Sequence, residues 1–151
     1  MNKWGATSHR EFLTLHADLQ VVMTMVLVEI DLAILCGHRN EAKQNDYFEK
    51  ELSKTKWPNS EHNYYPSRAV DAVPPPFPVD WNAKRRFDYF GGFVVSVANS
   101  LGIGLRWGGD WDRDHDPTDQ WFNDLIHFEL WPHRLERPDA EFISHERSIQ
   151  C

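Results

Sequence analysis

The chain has 151 residues, 41% of them hydrophobic and 26% charged, which is ordinary globular composition. One domain is the prior at that length, with roughly 70% of the unfolded surface hidden on folding. Lys and Arg number 16 against 23 Asp and Glu, a formal net charge of −7 with no basic stripe, and this excludes nucleic acid as the expected partner because phosphate binding relies on clustered cations.

Met1-Asn2-Lys3-Trp4-Gly5 lacks the apolar core and cleavage site of a signal peptide. Apolar positions Leu15, Leu19, Val22, Val26 and Ile30, widened by Leu13, Met23 and Leu27, predict one long helix from about Glu11 to Ile30. Its most apolar run, Val21 to Val28, is shorter than the about 20 residues a bilayer span needs. A soluble cytosolic chain with no membrane insertion is therefore expected. Cys36 and Cys151 form no disulfide framework and read as free thiols.

Leu32 to Cys36, ending at Gly37, predicts a buried strand. Asn40 can cap a helix over Glu41 to Leu52. Ser53 to Pro66 is aperiodic, and Pro58-Asn59-Ser60 marks it as irregular. Arg68 to Val73 alternates as a strand, with Ala69, Asp71 and Val73 on one face and Val70 and Ala72 on the other. Prolines at 74, 75, 76 and 78 end it. A second helix opens near Asn82, buries Phe87, Phe90, Val94, Val97 and Leu101, and uses Gly91 and Gly92 for close packing. Gly102 terminates it. Leu105 to Trp107 and Ile126 to Trp131 predict strands on either side of a polar loop, the last with His127 and Glu129 on one face. The fold class expected is α+β, a small, mainly antiparallel sheet flanked by helices. Residues 1–131 are assigned to the functional domain, and 132–151 to a charged tail with no separate binding module.

His62, Asp71 and His127 offer two imidazoles and a carboxylate, the set a catalytic zinc takes while keeping a position for water. Asp124, three residues before His127, is a candidate general base and acid. Taken singly, His127 reads more readily as a structural histidine than as a ligand, and Asp71 as a turn cap or an arginine partner. Arg39, just after a buried strand, offers a positive fork where negative charge develops, in preference to a surface salt bridge. Asp110, Asp112, Asp114 and Asp116 alternate like the start of an EF-hand, but His115 stands where Gly is usual and Trp121 where Glu is usual. A calcium-ordered loop and a plain acidic loop are both open. Trp57, Tyr64, Tyr65, Trp107, Trp111 and Trp121 crowd these segments as groove lining or as core.

Ser60-Glu61-His62, then Ala69-Val70-Asp71, then Asp124-Leu125-Ile126-His127 resemble the D-Ala-D-Ala-type zinc metallopeptidases. Cys36-Gly37-His38-Arg39 with Gln44 resembles an upstream element of that family, with His38 where Tyr is usual. Lys56-Trp57-Pro58-Asn59-Ser60-Glu61-His62-Asn63, the Pro66-to-Pro74 run and Leu105-Arg106-Trp107-Gly108-Gly109-Asp110-Trp111 are similar to its phage L-alanyl-D-glutamate peptidase branch, the endolysins. The resemblance runs from about Ser8 to Leu130. His62 and Asp71 stand two residues further apart than in the general family, an insertion falling in Asn63-Tyr64-Tyr65-Pro66.

The resemblance implies zinc on His62, Asp71 and His127, Asp124 as base and acid, and Arg39 steadying the oxyanion, with Gln44 and Ser60 touching substrate. It implies a monomeric endolysin, made in the host bacterial cytoplasm. After another protein permeabilises the membrane, it would cleave the L-Ala–D-Glu bond of peptidoglycan stem peptides and lyse the host. A D,D-carboxypeptidase or dipeptidase would use the same metal residues, and a non-catalytic calcium- or wall-binding protein is the alternative from another class.

Overall fold

A computed structural model describes residues 1–132, so the assigned tail lies, from residue 133 on, outside the described residues. Its elements are α1 (Ala6–Phe12), α2 (Ala17–Glu29), β1 (Ala33–Cys36), α3 (Glu41–Glu49), a 3-10 turn (Glu61–Asn63), β2 (Ala69–Val73), α4 (Lys84–Ser100), β3 (Leu105–Gly108) and β4 (Asp124–Leu130). The four strands form one sheet in the order β1-β2-β4-β3, every neighbouring pair antiparallel. The α+β expectation holds.

The single helix expected from Glu11 to Ile30 is two helices. Between them the chain runs beside the residues that lead into β2: Ser67 N donates to Thr14 O (2.8 Å) and His16 N to Ser67 O (2.8 Å). These bonds replace helical ones, and His16 Nδ1 then caps α2 by accepting from Asp18 N. Leu13, expected in the apolar stripe, is 60% exposed as a result. Leu15, Leu19, Val22, Met23, Val26 and Leu27 are buried as the periodicity required. Each such side chain contributes roughly 1.5–3 kcal/mol on burial.

α3 stops short of Leu52, but Asn40 caps it through Lys43 N (2.9 Å). α4 begins at Lys84, and its buried stripe ends on Ala98, leaving Val97 half-buried and Leu101 39% exposed. Gly91 is needed there because a side chain would enter the Trp107 indole; Gly92, by contrast, faces open space. Gly102, at φ +69°, ends the helix as expected.

The sheet has two different faces. Ile34, Val70, Ala72, Leu105, Trp107, Phe128 and Leu130 join α2 and α4 in the core. The alternate positions carry Arg106, Asp71, His127 and Glu129 on the opposite face. An irregularity between Ile34 and Cys36 brings Cys36 opposite Asp71, so Cys36, Asp71 and His127 stand in one row across β1, β2 and β4.

Candidate active site

The row on the open face is completed by His62, delivered from the 3-10 turn. Ser60 opens that turn with a reciprocal cap, its hydroxyl accepting from His62 N while Asn63 Oδ1 accepts from Ser60 N (3.1 Å). Asn63 also ties the turn to the segment after β1, donating to Arg39 O (3.0 Å) and Gln44 Oε1 (3.2 Å), while Arg39 N donates to His62 O (2.8 Å).

Three atoms converge. His62 Nε2 lies 3.1 Å from Asp71 Oδ1 and 3.2 Å from His127 Nδ1, and His127 Nδ1 lies 3.2 Å from Asp71 Oδ1. Ligand atoms about 2.0–2.1 Å from a tetrahedral zinc stand about 3.3 Å from one another, so this triangle has the dimensions of three corners of such a site. The outer nitrogens fix which face each ring presents. His62 Nδ1 donates to Gly37 O (2.6 Å), and His127 Nε2 donates to Glu129 Oε2 (2.9 Å). The inward nitrogens are therefore Nε2 of His62 and Nδ1 of His127.

Burial pushes His62 toward the neutral imidazole that a metal takes. Burial would raise the Asp71 carboxyl, but His62, His127 and Arg39 outweigh it and hold it well below the usual range. For His127, burial favours the neutral ring, and the bonds to Asp71 and Glu129 reverse this, pushing its pKa up to about 10. Asp124 is raised, chiefly by burial and secondarily by Asp71, with His127 and Arg39 opposing. A carboxyl shifted this way holds a proton more readily than an ordinary aspartate, the direction a group that takes and returns a proton needs.

Asp124 reaches this site through a bulge. β3 and β4 pair regularly from Leu105–Leu130 to Trp107–Phe128, and then Gly108 pairs with Asp124, skipping three residues of β4. A regular strand would put positions 124 and 127 on opposite faces; the bulge removes that alternation. The loop entering a strand, expected at Asp124, is thus the first residue of β4 itself. Gly108 is required because a side chain would strike the Asp124 backbone.

Arg39 Nη2 is hydrogen-bonded to Asp71 Oδ2, its Nε donates to Cys36 Sγ (3.4 Å), and its guanidinium lies 4.9 Å from the Tyr47 ring centroid. All these groups line a cleft of about 890 Å³, together with Ser60 and Asp124. Gln44 is not among the lining residues. It is fully buried, donating to Ser53 Oγ (2.9 Å) and Thr55 O (2.7 Å), which makes it a strut beneath the wall.

Three neighbours were given no part in the metal site by the sequence. Cys36 offers a ligand atom grouped with those of His62 and Asp71, but burial pushes its thiol up and its Sγ–H faces Gly37 O. Glu129 holds His127 and is itself held by Arg106, whose Nε donates to Oε1 (2.7 Å) and whose guanidinium lies over Trp111 and Trp131, 5.2 and 4.5 Å from their centroids. The His-x-Glu alternation was a visible signal for Glu129; the cross-strand Arg106 was not. Trp111 also stacks on His127 (5.7 Å). Of the other aromatics named from sequence, Trp107 belongs to the core and Trp121 is 88% exposed.

In the acidic loop, carboxylate oxygens of Asp110, Asp112 and Asp114 lie within 4.8 Å of one another. Asp116 stands outside that group, its Oδ1 accepting from Thr118 N (2.9 Å). Asp110 accepts from the amides of Asp114 and His115, and Gln120 ties Asp112 to the Trp111 backbone.

No curated protein matches the chain by sequence. Among solved structures it is similar to the L-Ala D-Glu endopeptidase ChiX of Serratia marcescens, with a TM-score of 0.65 and 26% identity over 83% of this chain and 86% of that one. Residues 1–131 match the phage L-alanyl-D-glutamate peptidases, and the chain belongs to that family.

Proposed function

We propose that this peptidoglycan peptidase is a zinc enzyme whose metal is held by His62, Asp71 and His127. The observation that carries the reading is the triangle of 3.1–3.2 Å between their inward atoms. Zinc bound there would supply Lewis acidity and a nucleophile at neutral pH. Cys36 is a poorer third ligand than His127 because its Sγ–H faces Gly37 O and its sulfur accepts from Arg39 Nε.

The chain's own residues divide the remaining tasks. Asp124 takes the proton of the attacking water on its carboxylate and hands it to the D-Glu nitrogen as the L-Ala–D-Glu bond breaks. Arg39 stands on the cleft wall as a fixed cation, where its guanidinium can stabilise the oxyanion and also anchors Asp71. Ser60 contacts the peptide in this reading, which its position on the cleft wall supports. The family supports a monomeric endolysin that meets the wall from the host cytoplasm once another protein has opened the membrane. Among the described residues no helix is long and apolar enough to cross a membrane.

Purified protein incubated with peptidoglycan should release stem peptides with a new D-Glu amino terminus, detected by mass analysis. Chelator should stop the release and zinc restore it. Loss of D-Ala alone would mean a carboxypeptidase, and chelator-insensitive cleavage would refute the zinc site.

A second cation belongs to the reading. Asp110, Asp112 and Asp114 are proposed calcium ligands, with Asp116 held close by the same turn. Trp111, next to Asp110, stacks on both His127 and Arg106, so ordering the loop bears on the metal centre. Calcium should raise the rate, and Asp112→Asn with Asp114→Asn should abolish that response without changing zinc content. Calorimetry showing no binding heat, with no rate change, would leave a solvated acidic loop.

A further inference from the structure

Trp81, which sequence reading did not single out, lines the same cleft while leaving 60% of its surface to solvent. Tyr47, Trp111 and Phe122 also line it, but they are half-buried and carry Arg39, Arg106 and Lys54 against their rings. Trp81 instead rests on the buried Phe87, ring centroids 6.0 Å apart and planes 10° from parallel. Its segment is pinned on both sides: Arg86 Nη1 donates to Pro75 O (2.9 Å), and Asp80 Oδ1 accepts from Asn82 N (3.0 Å). The ring is held flat from one side and remains open on the other. An aromatic plane already supported on one face loses less ordering entropy on binding than an unsupported one, which suits it to be a docking platform.

The substrate's covalent structure suggests what docks there. In the wall polymer the amine of L-Ala is acylated by the lactyl group of N-acetylmuramic acid. The scissile carbonyl is that of the same L-Ala, so the sugar begins about two residue lengths away, roughly 7 Å at 3.3–3.6 Å per extended residue. An enzyme that cuts this bond must accommodate the sugar beside its reacting centre. The L-Ala methyl is small and the D-Glu carboxylate is charged, so neither suits a broad indole face. The C–H face of a pyranose ring does, because it is flat, apolar and weakly positive against the negative face of the indole.

We propose that Trp81 is a stacking platform for the N-acetylmuramic acid ring, so that the cleft recognises the glycan strand together with the stem peptide. This rests on the peptidase reading above and deepens it from a peptide substrate to a glycopeptide.

The test compares kcat/KM on a disaccharide-bearing muropeptide with kcat/KM on the same stem peptide without sugar. The wild-type protein should favour the glycopeptide by about tenfold, equivalent to about 1.4 kcal/mol, with the difference in KM. Trp81→Ala should bring that ratio close to one, and Trp81→Phe should retain most of it. Zinc content and circular dichroism of each variant check that the fold is intact. A wild-type ratio near one, or a preference surviving Trp81→Ala, would overturn the platform while leaving the peptidase reading standing. Cleavage of neither substrate would remove the peptidase reading and this one with it.

Discussion

Replacing Asp124 by Asn should lower turnover by about a hundred- to ten-thousandfold, the range typical of a lost general acid–base group. The amide keeps the shape of the side chain but cannot accept the proton of the attacking water. Asp124 is not one of the three converging atoms, so zinc content should stay at about one per chain. The loss should appear in kcat more than in KM, because the proton moves only as the bond is broken. Single-turnover hydrolysis of a stem peptide, with elemental analysis of the same sample, reads both quantities. A variant with near-normal turnover would remove Asp124 from the mechanism; one that had lost its metal would make it a structural residue.

The second large effect concerns metal affinity. His127→Ala removes one corner of the triangle and should leave the purified protein with little or no zinc. Glu129→Gln is more discriminating, because the amide oxygen can still accept from His127 Nε2 but its N–H group faces the Arg106 donors. Weakening such an outer hydrogen bond typically costs about 10–100-fold in metal affinity. Competition with a chelator of known affinity would measure it. The sign of the pH dependence follows from His127. Its pKa of about 10 without a metal means that both ring nitrogens carry protons at neutral pH, and the inward one must leave for Nδ1 to bind zinc. Affinity should therefore fall as pH falls, with about one proton released per zinc near pH 7. Buffer-dependent binding enthalpies count that proton. A pH-independent affinity would mean that His127 carries no inward proton for the metal to displace.

How much of this was legible beforehand differs from residue to residue. The residue types at positions 62, 71, 124 and 127 determined the chemistry on offer, because imidazole and carboxylate are the groups that bind zinc and exchange protons. Apolar periodicity determined the buried face of α2, and that of α4 from Phe87 to Val94, since burial follows from spacing along a helix. Asn40 as a cap and Gly102 as a terminator were equally local and equally readable. What the sequence could not decide were the features that depend on contacts between distant segments. The break before α2 exists because Ser67 offers hydrogen bonds that compete with the helix, and the period of the apolar stripe continues through it unchanged. The bulge that brings Asp124 into the cleft depends on Gly108 pairing out of register, a choice made between β3 and β4 and not within either. Gln44 became a buried strut because its partners at positions 53, 55 and 63 surround it in space. The Arg106–Glu129–His127 chain arises from one cross-strand pairing, and register is a property of the sheet. Side-chain chemistry and local periodicity belong to the sequence, whereas the faces those side chains present and the partners they meet are decided only when the strands pair.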